Sequence, residues 1–258
     1  MSEHEFSALR TSALIVAAVI AIGLERLLPH GRLRWSWRAN LGLWGIDLVL
    51  MTAICGACAV SVASWARGAE VGLLNVLPVP WWAGVAVCVV ALDLVSYGWH
   101  RANHQVAVLW RFHQVHHSDT AFTVSTALRF HPGELLLALP VRLAAIVALG
   151  APGAAVLAFE GFFALANLVE HGDINLPLRL ERALERVCIT PALHRWHHSR
   201  RWTELNTNFG TIFVVWDRAF GTLRPNSSAT AVETGLPGIV EPIGFVRALA
   251  LPSSGARR

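Results

Sequence analysis

Lysine is absent from this chain of 258 residues, and its whole basic complement is arginine. Charged residues of all kinds reach only 15%, and hydrophobic residues reach 54%. A chain so poor in charge falls outside ordinary soluble composition, and apolar runs of membrane-helix length become the leading class. The arginines are spread over several loops instead of forming a basic stripe, which excludes nucleic acid as a partner. Cysteine is scarce too: Cys55, Cys58, Cys88 and Cys188 include no zinc-ribbon or iron–sulfur spacing. Cys55-Gly-Ala-Cys58 has redox-motif spacing but lies inside an apolar run, so it reads as small packing residues. The first apolar run lacks a positive leader and a small-residue cleavage site, so it reads as a retained helix, not a signal peptide. No internal repeat is visible.

Five apolar runs are present: Ser12 to Leu28, Leu41 to Trp65, Trp81 to Trp99, Leu135 to Leu149 and Ala154 to Val169. At about 1.5 Å per residue each crosses, or nearly crosses, a hydrocarbon layer about 30 Å thick. The last two are short and are separated by Gly150-Ala-Pro-Gly153, so a hairpin is predicted there. The expected fold is all-α: a multi-pass membrane bundle of four to five apolar helices with a histidine-rich helical cap. Residues 30–40 carry Arg32, Arg34 and Arg38, residues 66–80 carry Arg67 alone, and 150–153 carry no arginine. The positive-inside rule then places 30–40, 100–134 and everything after His171 in the cytoplasm. Arg142 and Glu160 fall at similar depth in the hairpin and are predicted to face each other or a polar interior. A short helix is expected over Leu178 to Val187, and a loose tail over 225–258.

Ten of the twelve histidines lie between His100 and His198. Eight form three clusters: His100-Arg-Ala-Asn-His104, His113-Gln-Val-His116-His117 and His194-Arg-Trp-His197-His198. Residues three and four apart share one helix face. Each cluster therefore aims two or three imidazoles at one point, and eight suffice for two metal ions with open positions. Such donor sets suit iron, zinc or copper. His171, at the end of the fifth run, adds a ninth. His131 either lines the site or pairs with Glu134, while His4 and His30 read as surface residues. A single hydrolytic zinc uses three ligands and a carboxylate base, fewer nitrogens than are present. Haem ligands would stand singly inside facing helices. A redox di-metal site that activates dioxygen against a lipid C–H bond fits these residues best. Arg129, Arg195, Arg200 and Arg201 are candidates for a lipid head group or for structural carboxylates. Trp110, Trp196 and Trp202 read as packing.

The order His-x-x-x-His, His-x-x-His-His, His-x-x-His-His resembles the membrane fatty acid hydroxylase/sterol desaturase superfamily. Flanking words strengthen the likeness: His116-His117-Ser118, Ser125-Thr-Ala-Leu-Arg129-Phe-His-Pro, Glu170-His171-Gly-Asp, Thr190-Pro-Ala-Leu-His194, Asn208-Phe-Gly210 and Trp216-Asp-Arg-Ala-Phe-Gly-Thr222. The likeness covers roughly residues 90 to 224. The resemblance implies a cytoplasmic cap holding two iron ions, with zinc as a substitute in purified samples. It implies O2 as co-substrate and hydroxylation, desaturation or oxidative ether cleavage of a lipid: fatty acyl, sterol, carotenoid or ether lipid. It assigns His100, His104, His113, His116, His117, His194, His197 and His198 as ligands and matches His171 to a further histidine. Where some relatives carry another histidine, this chain has Asn167, a candidate ligand, water holder or packing residue. Neither a haem-binding domain nor a ferredoxin-like cysteine set accompanies these motifs, so electrons are expected from a separate cytochrome, ferredoxin or reductase. A bacterial cytoplasmic membrane is expected, since no endoplasmic reticulum retention signal closes the sequence. The division expected is membrane helices in 1–80, a hydroxylase-like domain in 81–224 and the tail beyond. A catalytically inactive membrane metal-binding protein is the competing reading.

Overall fold

The computed structural model describes every residue except 1–2, 32–36, 56–57, 225–231 and 255–258, together with the side chains of Glu3, His4, Phe6 and Cys55. Among the described residues the chain is helical, and strand pairing is limited to isolated bridges such as Pro29 with Ile174. The longer helices are α1 (Glu3–Leu27), α2 (Trp37–Cys55), α3 (Cys58–Gly68), α5 (Trp81–Gln105), α6 (Ala107–His117), α7 (Pro132–Leu149) and α8 (Gly153–Glu170). The short ones are α4 (Leu73–Val76), α9 (Leu178–Leu184), α10 (Pro191–His197), α11 (Trp202–Leu205), α12 (Val215–Ala219) and α13 (Phe245–Ala250).

Five stretches are long and apolar enough to cross a membrane: Ser7–Leu27, Trp37–Val76, Trp81–Gln105, Pro132–Leu149 and Gly153–Glu170. Their outer faces are apolar as well as their inner ones. Val19, Val49 and Trp81 are 66%, 70% and 78% exposed, a pattern that suits lipid as solvent and would be a liability in water. Small residues let the helices approach. Ala17 and Ala21 of α1 pack beside Leu168 of α8, and Ala63, Cys88, Ile146 and Ala155 join α3, α5, α7 and α8 in one core. The predicted hairpin is present. Gly150, in the left-handed region at φ +64°, ends α7, and a Cβ built at Gly72 would lie 2.2 Å from its nitrogen. The turn therefore seats directly on the loop before α4.

Two expectations change. Cys58, read as a packing thiol, is disulfide-bonded. The segment expected to be a loose tail is packed over 232–254: Leu236, Ile243, Ala248 and Leu251 are buried in one cluster with Leu43, Trp110 and Leu205. The Pro and Gly punctuation that suggested looseness marks turns between these anchors. Residues 225–231 of that tail lie outside the described ones.

Arg142 and Glu160 do face each other, at 3.9 Å, but the tighter partner of Glu160 is Arg10 of α1 at 2.9 Å.

Candidate metal centre

Four segments deliver the histidines to one end of the bundle. His100 and His104 end α5. Val106 breaks the helix with extended backbone (φ −93°, ψ 117°), and α6 restarts carrying His113, His116 and His117. His171 follows the last residue of α8. Thr190 accepts a hydrogen bond from the Leu193 amide and Pro191 opens the first turn, so α10 starts where Thr-Pro demands. That helix carries His194 and His197, and His198 caps it.

The rings gather into two adjoining groups. His100, His104, His113, His117 and His197 form one, and His116, His171, His194 and His198 form the other; within each, ligand-capable nitrogens all lie within 4.8 Å of one another. His117 and His198, one from each group, stack with centroids 4.3 Å apart. All nine predicted histidines are in these groups.

Hydrogen bonds fix which nitrogen faces inward. Nδ1 of His100, His113, His116, His171 and His197 meets, in order, the Phe209 carbonyl (2.8 Å), Glu134 Oε1 (2.8 Å), the Arg129 carbonyl (3.3 Å), the Asn167 carbonyl (2.6 Å) and the Thr207 carbonyl (2.7 Å). Those oxygens only accept, so the proton resides on Nδ1 and the Nε2 lone pair is left over. Yet His116 and His171 point those Nε2 atoms at each other at 2.9 Å, and His194 Nε2 approaches His171 Nε2 at 2.9 Å. Facing lone pairs repel unless a cation lies between them. Two nitrogens bound at right angles to one ion at about 2.1 Å are roughly 3 Å apart. Nε2 of the buried His197 and both nitrogens of the buried His198 have no protein partner. The histidine clusters could therefore hold metal. Burial pushes His197 down to about 3 and His171 to about 4, and it holds His116, His117, His194 and His198 well below the ordinary imidazole value. Neutral imidazole, the ligating form, is what such a site favours.

Other predicted residues separate from this set. His131 lies outside both groups: its Nδ1 accepts from the Gly133 amide at 2.9 Å and caps α7, while Nε2 meets the Leu249 carbonyl. It does not pair with Glu134, which bonds His113 and Asn103 instead. The Asn167 side chain donates to the Ala127 carbonyl, and its contribution is the backbone oxygen under His171. Arg129 is 1% exposed and spends its guanidinium on Val115, Ser118, Asn40 and Ile243. Arg195 is buried against Asp173 and the Phe122 ring. Neither arginine is open to a head group; both tie loops together under the histidines. Arg200 binds Glu233 and the Thr234 carbonyl, and Arg201 faces Glu204.

Sequence reading missed Glu134 and Asp217. Glu134 is buried, 21 residues from the ring it holds, and no spacing rule links them. Asp217 accepts from the Phe209 and Gly210 amides and from Thr222 Oγ1, setting the loop whose carbonyl orients His100. The recurring words Asn208-Phe-Gly210 and Trp216-Asp were the available signal.

A cavity of about 240 Å³ runs from the histidines into the membrane-spanning bundle. His100, His116 and His194 line its floor, and Leu139, Phe159 and Phe163 line its wall.

The family description "Fatty acid hydroxylase" matches residues 85–222. The chain is 31% identical to an ornithine lipid hydroxylase of Rhizobium tropici, over 93% of this chain and 74% of that one. It is 30% identical to an alkylglycerol monooxygenase of Danio rerio, over 64% of this chain but 34% of that longer protein. It is 25% identical to cholesterol 25-hydroxylase of Rattus norvegicus, over 54% of this chain and 46% of that one. No solved structure matches. With these sequence matches joined to nine gathered imidazoles, the chain belongs to the fatty acid hydroxylase family.

Proposed function

We propose that this protein is a membrane-bound, O2-dependent oxygenase that inserts a hydroxyl group into a C–H bond of a membrane lipid. The observation that carries this reading is the apolar cavity opening directly onto two histidine groups whose lone pairs converge. His100, His104, His113, His117 and His197 hold one iron, and His116, His171, His194 and His198 hold the other. Iron bound there supplies dioxygen activation and the oxidising power for an unactivated C–H bond. The protein supplies the rest. Glu134 and the four backbone carbonyls keep the imidazoles in one tautomer. Phe159, Phe163 and Leu139 exclude water and align an alkyl chain.

Hydroxylation is favoured over desaturation because the relatives named above are hydroxylases and monooxygenases. A polar glycerol-free or glycerol-based membrane lipid is the substrate class, and ether cleavage is the second reading, supported by the likeness to alkylglycerol monooxygenase. Residues 81–224 form the oxygenase portion, with the helices of 1–80 as its membrane support. Electrons come from a separate donor, a cytochrome, ferredoxin or reductase. The arginine distribution supports a cytoplasmic position for the metal end.

Lipid mass spectrometry of bacterial cells with and without the gene tests this. A lipid that gains one oxygen only when the chain is expressed, and not with His116→Ala, is the expected result. An unchanged lipid profile with iron-loaded protein present would refute it.

A further inference from the structure

Arg142 lines the same cavity as the histidines, but at its other end. It lies eight residues beyond Glu134 on α7, a rise of about 12 Å. Its guanidinium carbon is 5.4 Å from the Phe159 ring and 5.8 Å from the Phe163 ring, and both rings are cavity wall. The charge there is not balanced. Glu160 stands 3.9 Å from Arg142, beyond hydrogen-bond reach, while its other oxygen is engaged by Arg10 at 2.9 Å. Two cations share one anion. Among the described residues no acceptor takes a hydrogen bond from Arg142, although a guanidinium carries five donors. An ionised group inside a membrane bundle normally has its partner within the protein or faces a functional cavity, and this one faces a cavity.

We propose that Arg142 anchors an acceptor oxygen of the lipid, a carboxylate or an ester or amide carbonyl, and so sets which carbon reaches the histidines. This rests on the oxygenase reading. The substrate class is an acyl lipid whose acceptor oxygen stands about 12 Å from the oxidised carbon. Phe159 and Phe163 hold the guanidinium plane by cation–π contact, which leaves the fork of N–H groups for the ligand. Glu160 acts as the resident competitor that balances part of the charge when the cavity is empty.

The test uses the full chain, zinc-loaded so that it does not turn over, in detergent micelles, with tritiated palmitate and tritiated hexadecane as probes. Wild type should bind palmitate about tenfold more tightly than hexadecane. Arg142→Gln should erase the difference, and Arg142→Lys should keep part of it. Glu160→Gln should strengthen palmitate binding several-fold, because the competing carboxylate is gone; a purely structural Arg142–Glu160 pair predicts no gain. Equal binding of the two probes by wild type overturns the anchor. So does an undiminished preference in Arg142→Gln of native thermal stability, and if that variant does not fold, Glu160→Gln without gain overturns it instead. With iron, palmitate preference without lipid oxidation would sink the oxygenase reading and leave the anchor. Oxidation without the preference would do the reverse.

Discussion

His113 and Glu134 show how single residues set the centre. The carboxylate fixes the ring by its Nδ1 and takes a second bond from Asn103, so the inward nitrogen is pre-aimed. Glu134→Ala should weaken metal binding about 10–100-fold, with Glu134→Gln intermediate because an acceptor oxygen is kept. Competition with a chromophoric chelator measures this. His116→Ala should remove bound metal from the four-histidine group and abolish lipid oxidation, as metal content by mass spectrometry and the lipid profile would show. Eight of the nine histidines were legible because i, i+3 and i+4 spacing is a local property of a helix, and His171 was read from its place at the end of the fifth run. Glu134, Asp217 and the carbonyls of Phe209 and Thr207 were not. Their role exists only once α7 and the 207–222 loop are folded against α5 and α10, and sequence separation carries no trace of it. His131 misled for a related reason: a histidine beside Pro-Gly-Glu looks like a site residue, and here the helix start claims it.

At the scale of elements, carboxylates that bind backbone amides decide where the histidine-bearing segments sit. Asp93 of α5 accepts from the Ile212 and Phe213 amides and from the Trp216 indole. Asp217 does the same for Phe209 and Gly210. Asp217→Ala would leave two buried amides and a hydroxyl without an acceptor, a loss of about 2–4 kcal/mol. The expected outcome is a lower thermal midpoint together with reduced metal retention, because the His100 contact to the Phe209 carbonyl depends on that loop. Asn40→Ala is the contrasting case. Its amide reaches Asp119 and Ser125 and its oxygen receives Arg129, so the same assay should show lost stability with a smaller loss of metal, since the link to the centre is only the Arg129 carbonyl under His116. At the other end of the bundle, Gly72→Ala meets Gly150 backbone at 2.2 Å in addition to an unfavourable φ of +103°. Membrane-inserted yield, followed by fluorescence-detected size exclusion, should fall sharply.

The whole molecule is a membrane bundle with its chemistry at one end. The five spans were readable from hydropathy, because lipid enforces helix length more strictly than water does. The cap was less readable. Its segments are short, and helices of four to seven residues such as α11 and α12 owe their existence to burial instead of periodicity. With native cysteines replaced, Ala69→Cys in the loop after α3 should react with a membrane-impermeant maleimide on intact cells. Asn206→Cys beside the histidines should react only after permeabilisation. The opposite labelling would place the centre outside the cytoplasm.

Residues 232–254 carry a consequence for biogenesis. Gly235 donates to the His198 carbonyl, and Gln114 reaches the Leu251 carbonyl, so this strap braces two histidine-bearing segments from behind. The ribosome makes it after the histidines: roughly fifty residues separate His198 from Leu251, and at about 5–20 residues per second they emerge over several seconds. During that interval all nine rings have been synthesised while the strap has not. The full donor set is thus made before the segment that braces it.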